Sequence, residues 1–253
     1  MRRPPSTPLP MLFVLGALAA AFGAGAIPGA GDDPFAEAGL DAVEVARLEA
    51  GETVVHMAAA GDGAAAEGTA WRILEAPADR LRRAVADWRH YAEFFPFVTT
   101  SEVDERDGRI LVRQRVDLPF PWPDRHFAAE IELSRPEPSA PARPWRIRWH
   151  HVPGSGNVRT QHGEWRLTSL GPRRTLVALH LASDAGGAVP DAVERNALEE
   201  TLPWALDGLR QQVNRCRYDV PIHPTCAEAP PHPSVRTVAE EGVPPLPAAA
   251  APR

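Results

Sequence analysis

The sequence predicts an α+β fold in which one strongly bent antiparallel sheet wraps around a long C-terminal helix. Three observations carry this reading. From Val98 to Leu181 the chain alternates apolar and polar residues in short segments, the period of half-buried strands. Turn residues separate those segments at mostly hairpin spacing, which joins neighbours antiparallel. From Gly186 to Val213 the period changes: Leu198, Leu202, Ala205, Leu206, Leu209 and Val213 recur at steps of three and four, one apolar stripe of a helix. Such a helix spans roughly 35–40 Å and needs a large partner surface, which the strands supply.

Taken in order, Asp41–Leu48 reads as a short helix, Thr53–Met57 as a strand, Gly61-Asp62-Gly63 as a loop and Thr69–Leu74 as the next strand. Pro77 opens a helix with Leu81, Ala84, Val85 and Trp88 on one face, and a short aromatic helical piece with Tyr91, Phe94 and Phe95 ends at Pro96. Val98–Val103 leads into Asp107-Gly108, a hairpin pair. Arg109–Leu118 puts Ile110, Val112, Val116 and Leu118 on one face and Leu111, Arg113, Arg115 and Asp117 on the other. Arg125–Leu133 turns Phe127, Ala129, Ile131 and Leu133 inward, and a Pro-rich loop follows it. Trp145–His151, Val158–Leu167 and Arg174–Leu181 complete the strands. Gly186-Gly187 break the last one, and Pro190 fits the first turn of the long helix. Asp191 and Glu194 sit at its positive end, and Arg210, Arg215 and Arg217 at its negative end. Pro203 is expected to kink it.

With 253 residues the chain divides into an expected signal segment (1–30), a linker or short helix (31–50), one domain (51–217) and a Pro/Ala-rich, disordered tail (218–253). Arg2 and Arg3 precede an apolar run, Met11–Phe22, of signal-peptide length; Ala24-Gly25-Ala26 and Pro28-Gly29-Ala30 are the candidate cleavage sites. The expected location is periplasmic or secreted, with an uncleaved N-terminal anchor as the alternative. A net charge of −6 argues against a nucleic-acid partner. Two readings stand for Cys216 and Cys226: a disulfide between tail and helix end, or two unpaired thiols. His150 and His151 point to opposite faces of a strand and make no metal site. Gly154-Ser155-Gly156 reads as a flexible turn between strands, not a nucleophile elbow. Neither a phosphate loop nor a dinucleotide fingerprint is present, and no cofactor is expected.

Six motifs in order resemble the START-like (SRPBCC) helix-grip superfamily of polyketide cyclase/dehydrase and lipid-transport proteins. They are Gly51-Glu52-Thr53-Val54-Val55; Ile73-Leu74-Glu75-Ala76-Pro77; Trp88…Tyr91…Phe94-Phe95-Pro96-Phe97-Val98; Leu118-Pro119-Phe120-Pro121-Trp122-Pro123-Asp124-Arg125; Gly163-Glu164-Trp165-Arg166-Leu167; and Asp184 to Pro190. The resemblance covers about Gly51 to Arg215. It implies a deep apolar cavity between sheet and C-terminal helix that holds a lipid-like molecule, and in some relatives the same cavity performs aromatase/cyclase chemistry.

On that basis the expected ligand wall comprises Trp71, Phe94, Phe97, Val112, Gln114, Val116, Phe120, Trp122, Phe127, Trp145, Trp149, Trp165, Leu198 and Leu202. For each inward Trp, core packing is the competing reading. Gln114 interrupts an apolar strand face, so its amide pairs either with another core polar group or with a ligand head group. Asp124 and Arg125 read as a structural corner in which Arg125 ties down neighbouring backbone, while Phe120 and Trp122 are candidates for a rigid lip at the entrance. His180 reads as outward-facing. The leading expectation is a monomeric exported protein that binds a hydrophobic small molecule or lipid, with transient membrane contact. A cyclase/dehydratase-like enzyme and a structural domain whose cavity is filled by its own Trp rings are the alternatives.

Overall fold

The computed structural model describes residues 33–59, 63–118, 121–134, 144–187 and 189–219. The signal segment, the tail from residue 220 with Cys226, most of the Pro-rich loop and Phe120 lie outside the described residues; Tyr218, placed by the sequence reading in the tail, is instead buried, its hydroxyl bonded to Asp87 and Gln212. A short helix α1 (Pro34–Glu37), absent from the sequence expectation, precedes α2 (Ala42–Glu49). Asp41 caps α2: its carboxylate accepts from the Val43 and Glu44 backbone N–H groups, and Glu44 reaches back to the Asp41 N–H. This reciprocal pair fixes the helix start.

The strands are β1 (Val54–Met57), β2 (Ala66–Leu74), β3 (Val98–Arg106), β4 (Arg109–Val116), β5 (Arg125–Ser134), β6 (Trp145–His151), β7 (Thr160–Gly171) and β8 (Arg174–Asp184). They form one antiparallel sheet in the order β1-β2-β8-β7-β6-β5-β4-β3. Asp107 and Gly108 both take positive φ (52° and 73°), the backbone a two-residue hairpin between β3 and β4 requires. Helix α3 (Ala78–Val85) begins after Pro77, and a 3₁₀ turn, Trp88–Glu93, leads into β3.

The long helix α4 is Asp191–Gln212, with Pro190 as its N-cap; it starts later than Gly186, because Gly186 and Gly187 hold positive φ (70° and 72°) in the loop from β8. Its 22 residues make it roughly 33 Å long. The helix continues through Pro203, which has no N–H to give the turn before it.

The two halves of α4 meet the sheet differently. In the second half Leu202, Ala205, Leu206 and Leu209 are fully buried. The helix sits down on β2 at Gly68, where a Cβ would lie 3.0 Å from Leu202 Cδ1. Arg72 of β2 pairs with Asp207 at 2.9 Å, and Arg215 and Arg217, just beyond the helix, pair with Glu93 at 2.5 and 3.0 Å. Beneath this half lie stacked rings: Trp88 on Tyr91 at 4.3 Å and Tyr91 on Phe95 at 5.6 Å, with Trp88 edge-on to Trp149 at 5.7 Å. Trp165 is fully buried and donates from Nε1 to the Tyr91 hydroxyl at 3.0 Å. This half is solid protein.

A second, smaller core lies on the opposite face of the sheet, where α2 covers it. Leu40, Leu48, Val54, Trp71, Ile73 and Leu176 make it up.

Candidate functional site

Under the first half of α4 the grip is hollow. A cavity of about 180 Å³ is bounded by the turn before β3, by β4, β5, β7 and β8, and by α4. Its floor is Val116, Phe127, Val158 and Leu181; Phe95, Pro96 and Val98 wall one side, and Leu118 and Trp122 another. Val193, Ala197, Leu198 and Thr201 close it from above. Phe95 is the partition, since it lines the cavity and also meets Tyr91 and Trp165 in the solid half.

Among the lining residues Phe97 (40% exposed) and Ala197 face solvent, so the mouth lies between the Phe95–Phe97 turn and α4. Phe97 holds φ +62°, a backbone position rare for a bulky residue. Its ring lies 6.1 Å from that of Trp204, which is 53% exposed. Two large exposed rings therefore stand beside the opening.

One corner of the cavity is polar. Glu194, in the first turn of α4, is 8% exposed, and its Oε1 accepts from Ser183 Oγ at 2.9 Å and from the Ala185 N–H at 2.8 Å. Burial raises its pKa; these two hydrogen bonds oppose the rise, and the charges of Asp184 and Asp191 add to it. Asp184 itself pairs with Arg159 and accepts from the Gly186 N–H at 2.8 Å. Arg125 is buried beside this corner, with three hydrogen bonds to backbone carbonyls: Ala185 at 2.7 Å, Pro123 at 2.6 Å and Gly186 at 3.0 Å. It clamps the start of β5 to the β8–α4 loop, as the sequence reading expected. Asp124 pairs with Arg115 at 2.7 Å.

Of the residues expected at the ligand wall, Phe97, Gln114, Val116, Trp122, Phe127 and Leu198 line this cavity. Gln114 donates to Ser101 Oγ at 3.3 Å, so its amide has a core partner and also faces the cavity. Apart from Phe120, which lies outside the described residues, the others are seated elsewhere. Trp71 points to the opposite face of β2, against the α2 core, because Ala70 occupies the inward position. Trp149 and Trp165 fill the solid half, and Val112 and Leu202 are packed core residues. Trp145 lies under the guanidinium of Arg82, 4.8 Å from the ring centre. Phe94 lines a different hollow of about 370 Å³ beside the second half of α4, with Glu93, Trp204, Asp207 and Arg215. Its charged walls make that groove poor for an apolar ligand.

The sequence reading missed Arg125 and Glu194 as lining residues, and with them Gln161, Ser183, Leu181 and Val193. The Ser155 turn is not loose: Ser155 Oγ accepts from the Ala128 N–H at 2.9 Å, and Gly156 lies against the His126 backbone with no room for a Cβ. His180 faces outward, with Thr69 Oγ1 at 3.1 Å from its Nδ1.

Among solved structures, a STAR-related lipid transfer protein from Xanthomonas axonopodis is 20% identical, with a TM-score of 0.55; the match covers 64% of this chain and 93% of that one. Human StAR-related lipid transfer protein 5 is 16% identical with a TM-score of 0.53, over 74% of this chain and 96% of that one. The Zhui aromatase/cyclase of Streptomyces sp. R1128 is 23% identical over 65% of this chain and 94% of that one, with a TM-score of 0.45. Among curated proteins none matches the sequence. The profile of the polyketide cyclase/dehydrase and lipid transport family matches residues 74–210, which hold β3 to β8 and nearly all of α4. That span is more than half of the chain, and the protein belongs to this family of helix-grip folds.

Proposed function

We propose that the protein is an exported carrier that holds a hydrophobic small molecule, or one chain of a lipid, in the cavity under the first half of α4. The observation that carries the reading is that cavity: an apolar hollow with one polar corner, beside a solid half that supplies the stability. Ligand sites of this kind are mostly apolar with a few placed polar groups. Binding is driven by apolar burial at about 25 cal/mol per Å². The volume of about 180 Å³ falls below the roughly 300–1,000 Å³ of drug-sized sites, so a larger lipid enters only if α4 and the Phe95–Phe97 turn part. Phe97 and Trp204 are the rings that would touch a membrane during transfer, since exposed aromatics favour the bilayer interface. Export rests on Arg2, Arg3 and the Met11–Phe22 run.

The test is mass spectrometry of an organic extract of the mature protein, expressed with its signal and purified without detergent. A stoichiometric apolar compound supports the carrier and identifies its cargo. A clean blank, with no thermal stabilisation by a panel of lipids, refutes it. A compound that the purified protein converts to product would instead establish the enzyme. N-terminal sequencing of the periplasmic protein checks export, and size exclusion checks the monomer.

A further inference from the structure

The polar corner is built from two neighbouring strands of the sheet and one turn of helix. Gln161 on β7 and Ser183 on β8 are cross-strand partners, so their side chains rise together from the concave face. Strands β6 and β7 pair as far as His150 and His162; one residue further on, His151 and Gln161 stand opposite each other on that same concave face. Ser183 holds Glu194. Of the row His151–Gln161–Ser183, Gln161 and Ser183 line the cavity beside Glu194, and His151 lies at the outer end, outside the lining.

Two atoms in that row are buried without a partner among the described residues: Gln161 Oε1 and His151 Nε2. Both hydrogen bonds to Glu194 use Oε1, which leaves Oε2 without a protein donor among the described residues. Buried polar atoms are nearly always paired, and the orphan on Gln161, a lining residue beside Glu194, marks a place for a group that can donate. Burial favours the neutral form of both His151 and Glu194. Three N–H groups of Arg125 are committed to carbonyls. A carboxylate here would meet Glu194, Asp184 and Asp191.

We propose that the ligand is an apolar molecule ending in a hydroxyl group, which donates to Gln161 Oε1 and lies beside Glu194 Oε2. Its chain lies among Phe127, Leu181 and Leu198. This rests on the reading that the cavity holds a hydrophobic molecule, and it narrows the class: alcohols are favoured over carboxylic acids and over ethers of the same length. An ether accepts but cannot donate, so it leaves Gln161 Oε1 unpaired.

The test titrates the full mature chain with octan-1-ol, octyl methyl ether and octanoate, following backbone amide shifts by NMR. Octan-1-ol is expected to bind about tenfold tighter than the other two, the scale set by one buried acceptor left unpaired. Gln161→Leu is expected to bring the alcohol down to the affinity of the ether while leaving the ether unchanged, which also shows that the variant is folded. Equal binding of alcohol and ether by the wild-type chain overturns the proposal, as would be the case where a bound water already satisfies Gln161 Oε1. Tightest binding of octanoate also overturns it, and assigns the head group to Arg125. Absence of binding by all three refutes the carrier reading itself and this inference with it.

Discussion

Tyr91→Phe removes one oxygen from the solid half of the grip and tests whether that half is structural. The Tyr91 hydroxyl donates to the Val85 carbonyl at 2.7 Å and accepts from Trp165 Nε1 at 3.0 Å. Phe keeps the ring stacks on Trp88 and Phe95, so the change isolates the hydroxyl. It leaves the Trp165 N–H and the Val85 carbonyl unpaired inside the core. Each buried orphan costs about 1–3 kcal/mol, so the pair predicts a loss of roughly 2–4 kcal/mol. For a domain of this size that is a fall in Tm of about 5–15 °C. Burial pushes the Tyr91 phenol well above its ordinary pKa, so the hydroxyl stays protonated and the loss is independent of pH through the neutral range.

The assay is urea unfolding followed by Trp fluorescence, with Trp165→Phe and the double variant completing a cycle. Because both residues share one hydrogen bond, their effects are expected to fall short of additivity by about 1 kcal/mol. A Tyr91→Phe loss below about 0.5 kcal/mol, or strict additivity, refutes the bonded pair. Ligand affinity is expected to stay within a factor of about two, since the rings lie on the far side of Phe95. A tenfold loss of affinity would mean that the solid half opens to ligand.

Four further outcomes follow from the same geometry. Gly163→Ala places a Cβ against the Trp149 ring and 2.5 Å from the His180 carbonyl; a destabilisation of about 3 kcal/mol is expected by chemical denaturation. Arg125→Met frees the carbonyls of Pro123, Ala185 and Gly186, and hydrogen exchange is expected to show faster exchange around Ala185 and Gly186, with a stability loss of about 2–4 kcal/mol. Glu194 has a folded-state pKa raised above its ordinary 4.5, so its contribution is full below that value and is lost as pH rises through the folded pKa. Unfolding measured from pH 4 to 8 is therefore expected to show wild type losing stability relative to Glu194→Gln as pH rises, and an unchanging difference would refute the burial. Ala197→Trp fills the mouth from an exposed helix position, so the extracted compound is expected to fall several-fold while Tm stays within about 2 °C.

Strand periodicity was legible because it is local. Trp145–His151 was bounded to the residue, and the Asp107-Gly108 turn follows from the chemistry of those two residues alone. Alternation also separates the two faces of a strand, but it does not say which face meets α4. On β2 the inward residues are Gly68, Ala70 and Arg72, small or polar enough to let the helix come close, while the large Trp71 packs under α2. Reading size as inwardness therefore inverted that strand. Whether an inward Trp fills a core or walls a cavity depends on how far α4 stands off the sheet, and that is set jointly by Gly68, Leu202, Arg72 and the ring stack. No single segment carries that information.

The polar corner did leave a signal, though it is spread over several elements. The α4 stripe Leu198, Leu202, Leu206 extends one step of four upstream to Glu194. The concave face of β8 runs Val177, Leu179, Leu181 and then Ser183; that of β7 runs Leu167, Trp165, Gly163 and then Gln161. On β6 the run Trp145, Ile147, Trp149 ends at His151. In each case the period continues past the last apolar residue and lands on a polar one. A single such break is a strand or helix reaching the surface. Here the antiparallel register brings His151, Gln161 and Ser183 into one row and Glu194 down onto it, and Glu194 and two atoms of that row are buried. Burial is what distinguishes the two cases: a frayed end exposes its polar groups to water, whereas Gln161, Ser183 and Glu194 are held in the wall of an apolar cavity. The coincidence of several periods turning polar at one end of one sheet is thus the sequence trace of this polar corner, and only the strand register makes it readable.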